Sequence, residues 1–288
     1  MELGKVLFFD PRLSGNGMMS CATCHNPSLG WSDGQKTAIG WGGQVLKRAT
    51  PTVLNIAYNS ILMWDGRKKT LEEQAIGPMK LPDTMNTDVP ATLARLRGLP
   101  EYVDMFEKAY PGVGISEETI AKALAAFERT VVTHDSPFDR WLAGDRKAMT
   151  MAQWRGYQVF NDPEKGNCAV CHSAPNFTDN GFHNIGLAPA GEPDIGRYKI
   201  RKVASMKGAF KTPTLRDIEL TGPYFHDGSA TTLRDVVEHY ARGGVDHSNV
   251  STSVKPLNLS EQDKSDLVDF MKALTGRRVD VAMPYLPQ

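Results

Sequence analysis

All four cysteines of this 288-residue chain lie in two strings of one form, Cys21-Ala-Thr-Cys24-His25 and Cys168-Ala-Val-Cys171-His172. A single Cys-x-x-Cys pair leaves both a redox dithiol and half of a zinc site open. Two pairs, each followed at once by histidine, favour covalent haem. The two sulfurs add to the two vinyl groups, and the adjacent histidine reaches the iron. A zinc site of four cysteines, or of three and a histidine, would have to draw both strings together and would leave at least one adjacent histidine without a role. The strings therefore predict two covalently bound haem c groups, one on Cys21, Cys24 and His25, the other on Cys168, Cys171 and His172, with the two histidines as proximal iron ligands. Attachment of this kind takes place outside the cytoplasm. The expected location is the periplasm, with the export signal absent from this chain.

The chain also repeats itself. Residues 50–76 align without gaps on residues 212–238 at a constant offset of 162. Thr50-Pro51-Thr52 matches Thr212-Pro213-Thr214, Ile56 matches Ile218, Asp65-Gly66 matches Asp227-Gly228, and Thr70-Leu71 matches Thr232-Leu233. A weaker echo precedes each haem string, Gly4 to Phe8 against Gly156 to Phe160. Internal repeats of this kind decide the architecture. They predict two tandem cytochrome c-like domains, residues 1–140 and 141–288, each holding one haem.

The fold class expected is mainly α. Ser116 can cap a helix whose Ile120, Leu124, Phe127 and Val131 recur at helical spacing. Ser260-x-x-Asp263 resembles a capping box, Leu267, Phe270, Met271 and Leu274 follow on one face, and Gly276 stands where a C′ glycine belongs. Gly40–Gly43 and Gly186–Pro193 read as loops around the haems. Lys and Arg together number 33 and Asp and Glu also 33, so no basic footprint marks a nucleic-acid partner. Apolar runs such as Ile61 to Trp64 are far too short to span a bilayer.

Where the copies differ, their functions have diverged. Trp64 precedes Asp-Gly in the first copy and His226 in the second; Gln74 faces Val236, and Pro78 faces Tyr240. One copy thus offers an amide that could stand over an open haem face, and the other a side chain able to ligate iron. Consecutive helical residues point about 100° apart, so only one of His239 and Tyr240 can face that iron. An electron carrier, in contrast, closes both irons with strong ligands.

The strings Leu3 to Ser14, Pro51-Thr-Val-Leu-Asn55, Trp64-Asp-Gly-Arg67 and Pro223-Tyr-Phe-His-Asp-Gly228 resemble the bacterial di-haem cytochrome c peroxidase and MauG family over nearly the whole chain. The resemblance implies that hydrogen peroxide meets the N-terminal haem while the C-terminal haem passes or stores electrons. It implies that Trp64 couples the two and that Gln74 is the distal glutamine. Reductively activated members carry a blocking histidine in an Ile-Gly-His-Gly-Trp string; here the string is Ile39-Gly40-Trp41-Gly42-Gly43, and indole is no iron ligand. The first haem is thus expected to be open at rest. Most members have methionine where Tyr240 stands, whereas the MauG-like subgroup has tyrosine, and an anionic ligand favours higher oxidation states. The family's distal glutamate is replaced by Thr84, next to Asp83, so the proton donor to peroxide is expected among Asp83, Thr84 and Gln74.

The family's calcium ion, held between the domains by backbone carbonyls at Thr221 and Pro223 and an asparagine side chain, would find Ala49 in the asparagine's place. The shell of roughly six to eight oxygens is then one short. His226 is expected at the second haem pocket or between the haems. Arg67 and Arg216 are candidates for haem propionates, with plain salt bridges as the alternative. His134, His183 and His247 carry no pattern. A surface tryptophan that the MauG-like subgroup places two residues before the second haem string is Gly166 here, leaving Trp154 and Tyr157 as relay candidates or packing residues.

The activity implied is a peroxide-driven, MauG-like oxidation. A state with both irons at Fe(IV) would draw electrons from aromatic, tryptophan residues of a periplasmic protein partner. The alternatives are a conventional peroxidase fed by a small cytochrome or cupredoxin as electron donor, and a non-enzymatic electron carrier.

Overall fold

The computed structural model describes residues 1–189 and 191–288. Helices α1 (Glu2–Phe9), α2 (Cys21–Cys24), α3 (Leu71–Lys80), α4 (Val89–Arg97), α5 (Pro100–Ala109), α6 (Glu117–Glu128) and α7 (Pro137–Leu142) make up the first stretch. They are followed by α8 (Met151–Asn161), α9 (Tyr198–Arg201), α10 (Leu233–Ala241) and α11 (Glu261–Lys272). Among the described residues the only sheet is a pair of two-residue antiparallel strands, β1 (Phe182–His183) and β2 (Phe210–Lys211). No helix there is long and apolar enough to cross a membrane.

Polar residues at the helix starts fix where several of these helices begin. The hydroxyls of Ser116, Thr150, Thr232 and Ser260 each accept the backbone N–H three residues on, and in each case the third residue caps back. Two expected helix ends move. α6 stops at Glu128, so Val131 is buried beyond the helix. α11 stops at Lys272 with Ala273 as its cap, so Gly276 is not the C′ residue. The Gly276 N–H instead donates to Asp217 Oδ1 at 2.9 Å, a buried carboxylate that needs donors.

Two main apolar cores result, beside a small cluster of Leu62, Leu71 and Ala125. Leu3, Leu7, Phe8, Trp31, Leu96, Phe106 and Leu124 belong to the first, and Phe160, Phe177, Leu267, Phe270 and Leu274 to the second. Phe138 of α7 joins the second core, and Val279, Val281 and Leu286 near the chain end return to pack on the first. Each core is pinned by one helix crossing. A Cβ placed on Gly4 of α1 would sit 1.8 Å from the Ala123 carbonyl oxygen of α6, and one on Gly156 of α8 would sit 1.9 Å from that of Asp266 in α11. Only glycine permits so close an approach, which accounts for the glycine shared by the two weak echoes.

The offset of 162 also holds in the backbone. Asn55 and Asp217 both take left-handed φ, at 59° and 60°, and so do Met63 and Phe225, both at 70°. The bridge Leu62–Lys68 recurs as Tyr224–Ala230. Equivalent residues of the two copies meet where the halves join. Asn55 Nδ2 donates to Asp217 Oδ2 at 3.1 Å and to Thr133 Oγ1 at 2.7 Å, and the Thr133 hydroxyl donates to the same carboxylate. All three side chains are buried.

Gly156→Ala is expected to force the α8–α11 crossing apart and to cost about 2–3 kcal/mol. Guanidinium unfolding of the holoprotein measures it; a change within 0.5 kcal/mol, the ordinary range for a surface site, would show the crossing to be loose.

Candidate functional site

Each haem string places its histidine the same way. His25 Nδ1 lies 3.3 Å from the Trp31 carbonyl oxygen, and His172 Nδ1 lies 3.0 Å from that of Phe177. Trp31 and Phe177 both take left-handed φ, which turns their carbonyls onto the rings. With Nδ1 as donor, the lone pair sits on Nε2, the arrangement a metal-ligating histidine uses. Burial drives the His172 pKa down to about 4 and lowers that of His25, so both imidazoles are neutral at pH 7, the form that can bind a metal. Burial also pushes the thiols up, Cys24 to about 11 and Cys168 to about 12. All four are free of disulfides.

In the second half, Cys168, Cys171 and His172 line a large apolar cavity closed by Phe160, Leu267 and Met271, with Tyr240 of α10 also in its wall. The neighbouring His239 does not line it. Its Nε2 instead lies 2.7 Å from the Ile185 carbonyl oxygen, and the ring is buried. The choice between these two side chains is thereby made by the helix, which turns the phenol inward and the imidazole outward. Burial, with Cys168 and Cys171 nearby, holds the Tyr240 phenol well above its ordinary pKa. The cavity thus has a thiol pair, an oriented imidazole and a buried phenol, a donor set that fits a covalent haem with a tyrosine on its second axial side.

The first half is more open. Cys24 borders a cleft with Met18, Met19, Asp33, Gln35, Ile39 and Gly40. The loop bearing Trp41 is tied to the loop after α3, since the Trp41 N–H donates to the Asp83 carbonyl at 3.1 Å. No imidazole stands on that loop. Gln74 is half-buried on α3, and no hydrogen bond engages its amide among the described residues. Asp83 is exposed and accepts from the Thr84 hydroxyl at 3.1 Å, and neither lines the cleft. Glu128, which the sequence reading missed, is only 6% exposed at the end of α6, and burial raises its pKa to about 8. It lies close enough to Cys21 to raise that thiol's pKa further. Its counterpart across the helix crossing is Met271 of the other cavity. A charged residue on a helix reads as solvated, so no local signal marks it.

Trp64 and His226 face each other where the halves join, ring centres 6.4 Å apart. Ala49 links them, accepting from the Trp64 indole at 2.9 Å and donating its N–H to the His226 carbonyl at 2.7 Å. His226 stacks on Phe210 at 3.5 Å, and burial lowers its pKa to about 4. Arg48 holds this junction. Its guanidinium donates to Asp65 of the first half at 2.8 Å and to Asp194 of the second at 2.7 and 3.0 Å, and it lies 5.4 Å over the Phe210 ring.

Arg67 pairs with Asp65, and Arg216 with Asp139 and the Pro175 carbonyl; neither lines the cavity. Their expected propionate role finds no support in that placement, and the salt-bridge alternative is the one seen. Thr221 and Pro223 line the cavity, but Ala49 presents only a methyl group, with its backbone N–H and carbonyl already engaged. The calcium shell is not completed at this position. His183, given no role from sequence, lies in the cavity wall and pairs with Asp179 at 2.9 Å. Its pKa rises to about 9, chiefly through Cys171 and then Asp179; thioether formation would remove the Cys171 part. Lys211, also missed, lines the cavity buried, and desolvation lowers it to about 8.

Comparison with known proteins places these features in company. The family described as "Di-haem cytochrome c peroxidase" matches residues 1–147. The "Methylamine utilization protein MauG" of Methylorubrum extorquens is 44% identical over all of this chain and 81% of its own length. The "Cytochrome c551 peroxidase" of Pseudomonas aeruginosa is 38% identical over 99% of this chain and 81% of its own. A crystal structure of "a MauG-like protein associated with microbial copper homeostasis" superposes with a TM-score of 0.89 at 32% identity, over 95% of this chain and 88% of that one.

Removing Arg48 as Arg48→Ala would leave Asp194 without its ion-pair partner and the buried Asp65 with Arg67 alone, at a cost of about 3 kcal/mol. Burial alone would raise both pKa values, but bonds from Arg48 overcome it and leave both below the ordinary range. The stability they contribute is therefore present above the unfolded carboxylate pKa and lost as pH falls through the folded values. Acid unfolding curves should show this limb flattened in Arg48→Ala; an unchanged curve would count against the clamp.

Proposed function

Because the chain belongs to the di-haem cytochrome c peroxidase family, we propose that it is a MauG-like, peroxide-driven oxidising enzyme acting on aromatic, tryptophan residues of a periplasmic protein partner. The chain is a di-haem peroxidase. The finer reading gives it two tandem cytochrome c-like domains, with haem c on Cys21, Cys24 and His25 and on Cys168, Cys171 and His172. The observation that carries it is Tyr240, which enters the second cavity while His239 turns to Ile185.

Two haems held by the Cys-x-x-Cys-His strings would supply the redox chemistry with peroxide. The remaining work falls to side chains. Gln74 offers its amide to bound peroxide. Thr84 and Asp83, bonded to each other beside the Trp41 loop, pass protons through water, the role that the family's glutamate would fill. Trp64 and His226, fixed through Ala49, bridge the two halves for electrons. Tyr240 as phenolate favours the oxidised forms of the second haem over the reduced ones. No step is assigned to calcium, because position 49 supplies no side-chain oxygen.

The 38% identity to a cytochrome c551 peroxidase supports a second reading, in which a small cytochrome or cupredoxin donates electrons for peroxide reduction. Peroxide added to the diferric protein decides between them. A doubly oxidised state that persists without donor is expected, from a resting protein with one high-spin haem. Immediate bleaching, or two low-spin haems with nitrogen or sulfur on both sixth positions, would defeat the proposal. Tyr240→Met should raise the potential of the second haem and shorten the life of the oxidised state, whereas His239→Gln should leave that haem's spectrum unchanged; the reverse pattern would reassign the ligand.

A further inference from the structure

The balanced total of 33 basic and 33 acidic residues is unevenly spread along the chain. From Arg197 to Ala209 stand five cations, Arg197, Lys199, Arg201, Lys202 and Lys207, and no aspartate or glutamate. A run of charge is ordinarily a solvated face. Two features set this one apart.

The segment is a closed loop rather than a tail. The Arg197 N–H donates to the Ala209 carbonyl at 2.8 Å, Gly196 bridges to Ala209, and Tyr198–Arg201 forms α9. Arg197 fastens the loop to the first half. Its guanidinium donates to the carbonyls of Asp65 and Gly66 at 2.8 and 2.6 Å and lies 4.3 Å over the Phe182 ring. From the loop of residues 246–250, Asn249 Nδ2 donates to the Lys207 carbonyl at 2.7 Å. Compact loops whose ends meet hold their side chains in place and often carry function. This one starts beside the residue that follows Trp64, where the halves join.

The outer cations have no partners. Lys199, Arg201, Lys202 and Lys207 are exposed, and among the described residues no carboxylate pairs with any of them. The acids of neighbouring segments are already engaged: Glu192 pairs with Lys47, Asp194 with Arg48, and Asp246 accepts from the Ser248 N–H. Like charges gathered this way repel one another, a standing cost that an incoming anion would relieve. Ile200 and Val203 stand among them, 40% and 49% exposed. An apolar centre with a charged rim is the anatomy of a protein–protein contact. A nucleic-acid face would be a stripe of cations without that centre. α9, with 4 residues, is too short to lie in a membrane interface.

We propose that the loop of residues 197–209 is the docking face for the protein that the di-haem centre oxidises, and that the partner's matching face is acidic around an apolar centre. Lys199, Arg201, Lys202 and Lys207 meet its carboxylates, and Ile200 and Val203 meet the apolar part. On a chain of zero net charge the patch attracts by position rather than by total charge, so it sets the partner's orientation as well as its rate of encounter.

The docking face rests on the reading that the centre oxidises a separate protein, and the test separates the two. Plastocyanin, an acidic cupredoxin, serves as probe, with lysine-rich cytochrome c as its opposite in charge. Calorimetric titration of the diferric holoprotein with plastocyanin at low salt should show binding that weakens as salt is raised. Lys199→Glu, Arg201→Glu and Lys202→Glu combined should weaken it about tenfold and remove the salt dependence, whereas Ile200→Ser should weaken it and keep the salt dependence. Lys108→Glu, at an exposed site on α5, should change neither. With peroxide present, oxidation of reduced plastocyanin should slow in the same order, and oxidation of reduced cytochrome c should quicken in the triple variant. Peroxide consumption with hydroquinone, a small neutral donor, should be equal in all, which also shows the variants to be folded. Equal plastocyanin binding by wild type and the triple variant would overturn the docking face. So would tighter binding of phosphatidylglycerol vesicles, or of a single-stranded oligonucleotide, than of plastocyanin. If plastocyanin binds as expected and peroxide never leads to its oxidation, the docking face stands and the functional reading falls.

Discussion

One guanidinium joins the two halves at the place where their divergent residues meet. Arg48 spans Asp65, the residue after Trp64, and Asp194, on the segment leading to β2. Two carboxylates brought together in a poorly hydrated junction would repel each other and lose hydration, and Arg48 between them, with Arg67 on Asp65, makes the arrangement favourable. The same arginine covers Phe210, on which His226 is stacked, so loss of the ion pairs would also loosen the ring that faces Trp64. Arg197 adds two bonds to the carbonyls of Asp65 and Gly66 from the other side. The geometry of Trp64 and His226 is therefore a consequence of charge pairing several ångströms away from either ring.

The duplication explains how such a junction could arise. Residues at equal positions of a repeat come together across an approximate two-fold relation, as Asn55 does with Asp217 and Trp64 with His226. Once they meet, one member of each pair is free to change. Asn55 and Asp217 became an amide–carboxylate pair, with Thr133 and the Gly276 N–H satisfying the remaining oxygen valences. Away from the junction the same freedom separates Pro78 from Tyr240 and Glu128 from Met271. The second cavity thereby gains a phenol and an apolar wall, while the first half gains a buried carboxyl, Glu128, near Cys21.

The residues that were legible in the sequence are those whose role is set locally. The two Cys-x-x-Cys-His strings, the capping serines and threonines, and the repeat at offset 162 all depend on spacing within a few residues or on a constant register. What was hidden depends on pairs far apart in the chain. His183 gains its meaning from the cavity wall, Lys211 from burial, and Arg48 from an aspartate 146 residues on. Arg67 and Arg216 read equally well as cofactor holders or as salt bridges, because a guanidinium looks the same until its carboxylate is located. Gly276 was misplaced for a similar reason: a glycine near a helix end suggests a cap, whereas here its N–H is drawn to a buried carboxylate from another element.

The openness of the two pockets adds a last constraint. Under the proposed function a small oxidant must reach one haem while the other is kept from water. The cleft beside Cys24 has a polar rim of Asn16, Thr23, Asp33 and Gln35, which admits water and a molecule of its size. The second cavity is walled by Leu233, Val237, Leu267 and Met271, and its polar members, His183, Lys211 and Tyr240, lie within that apolar shell. Under the proposed function, low dielectric there would strengthen the interaction between the Tyr240 phenolate and a cationic iron, offsetting the burial that holds the free phenol above its ordinary pKa. Burial that opposes the free phenolate thus favours the bound one.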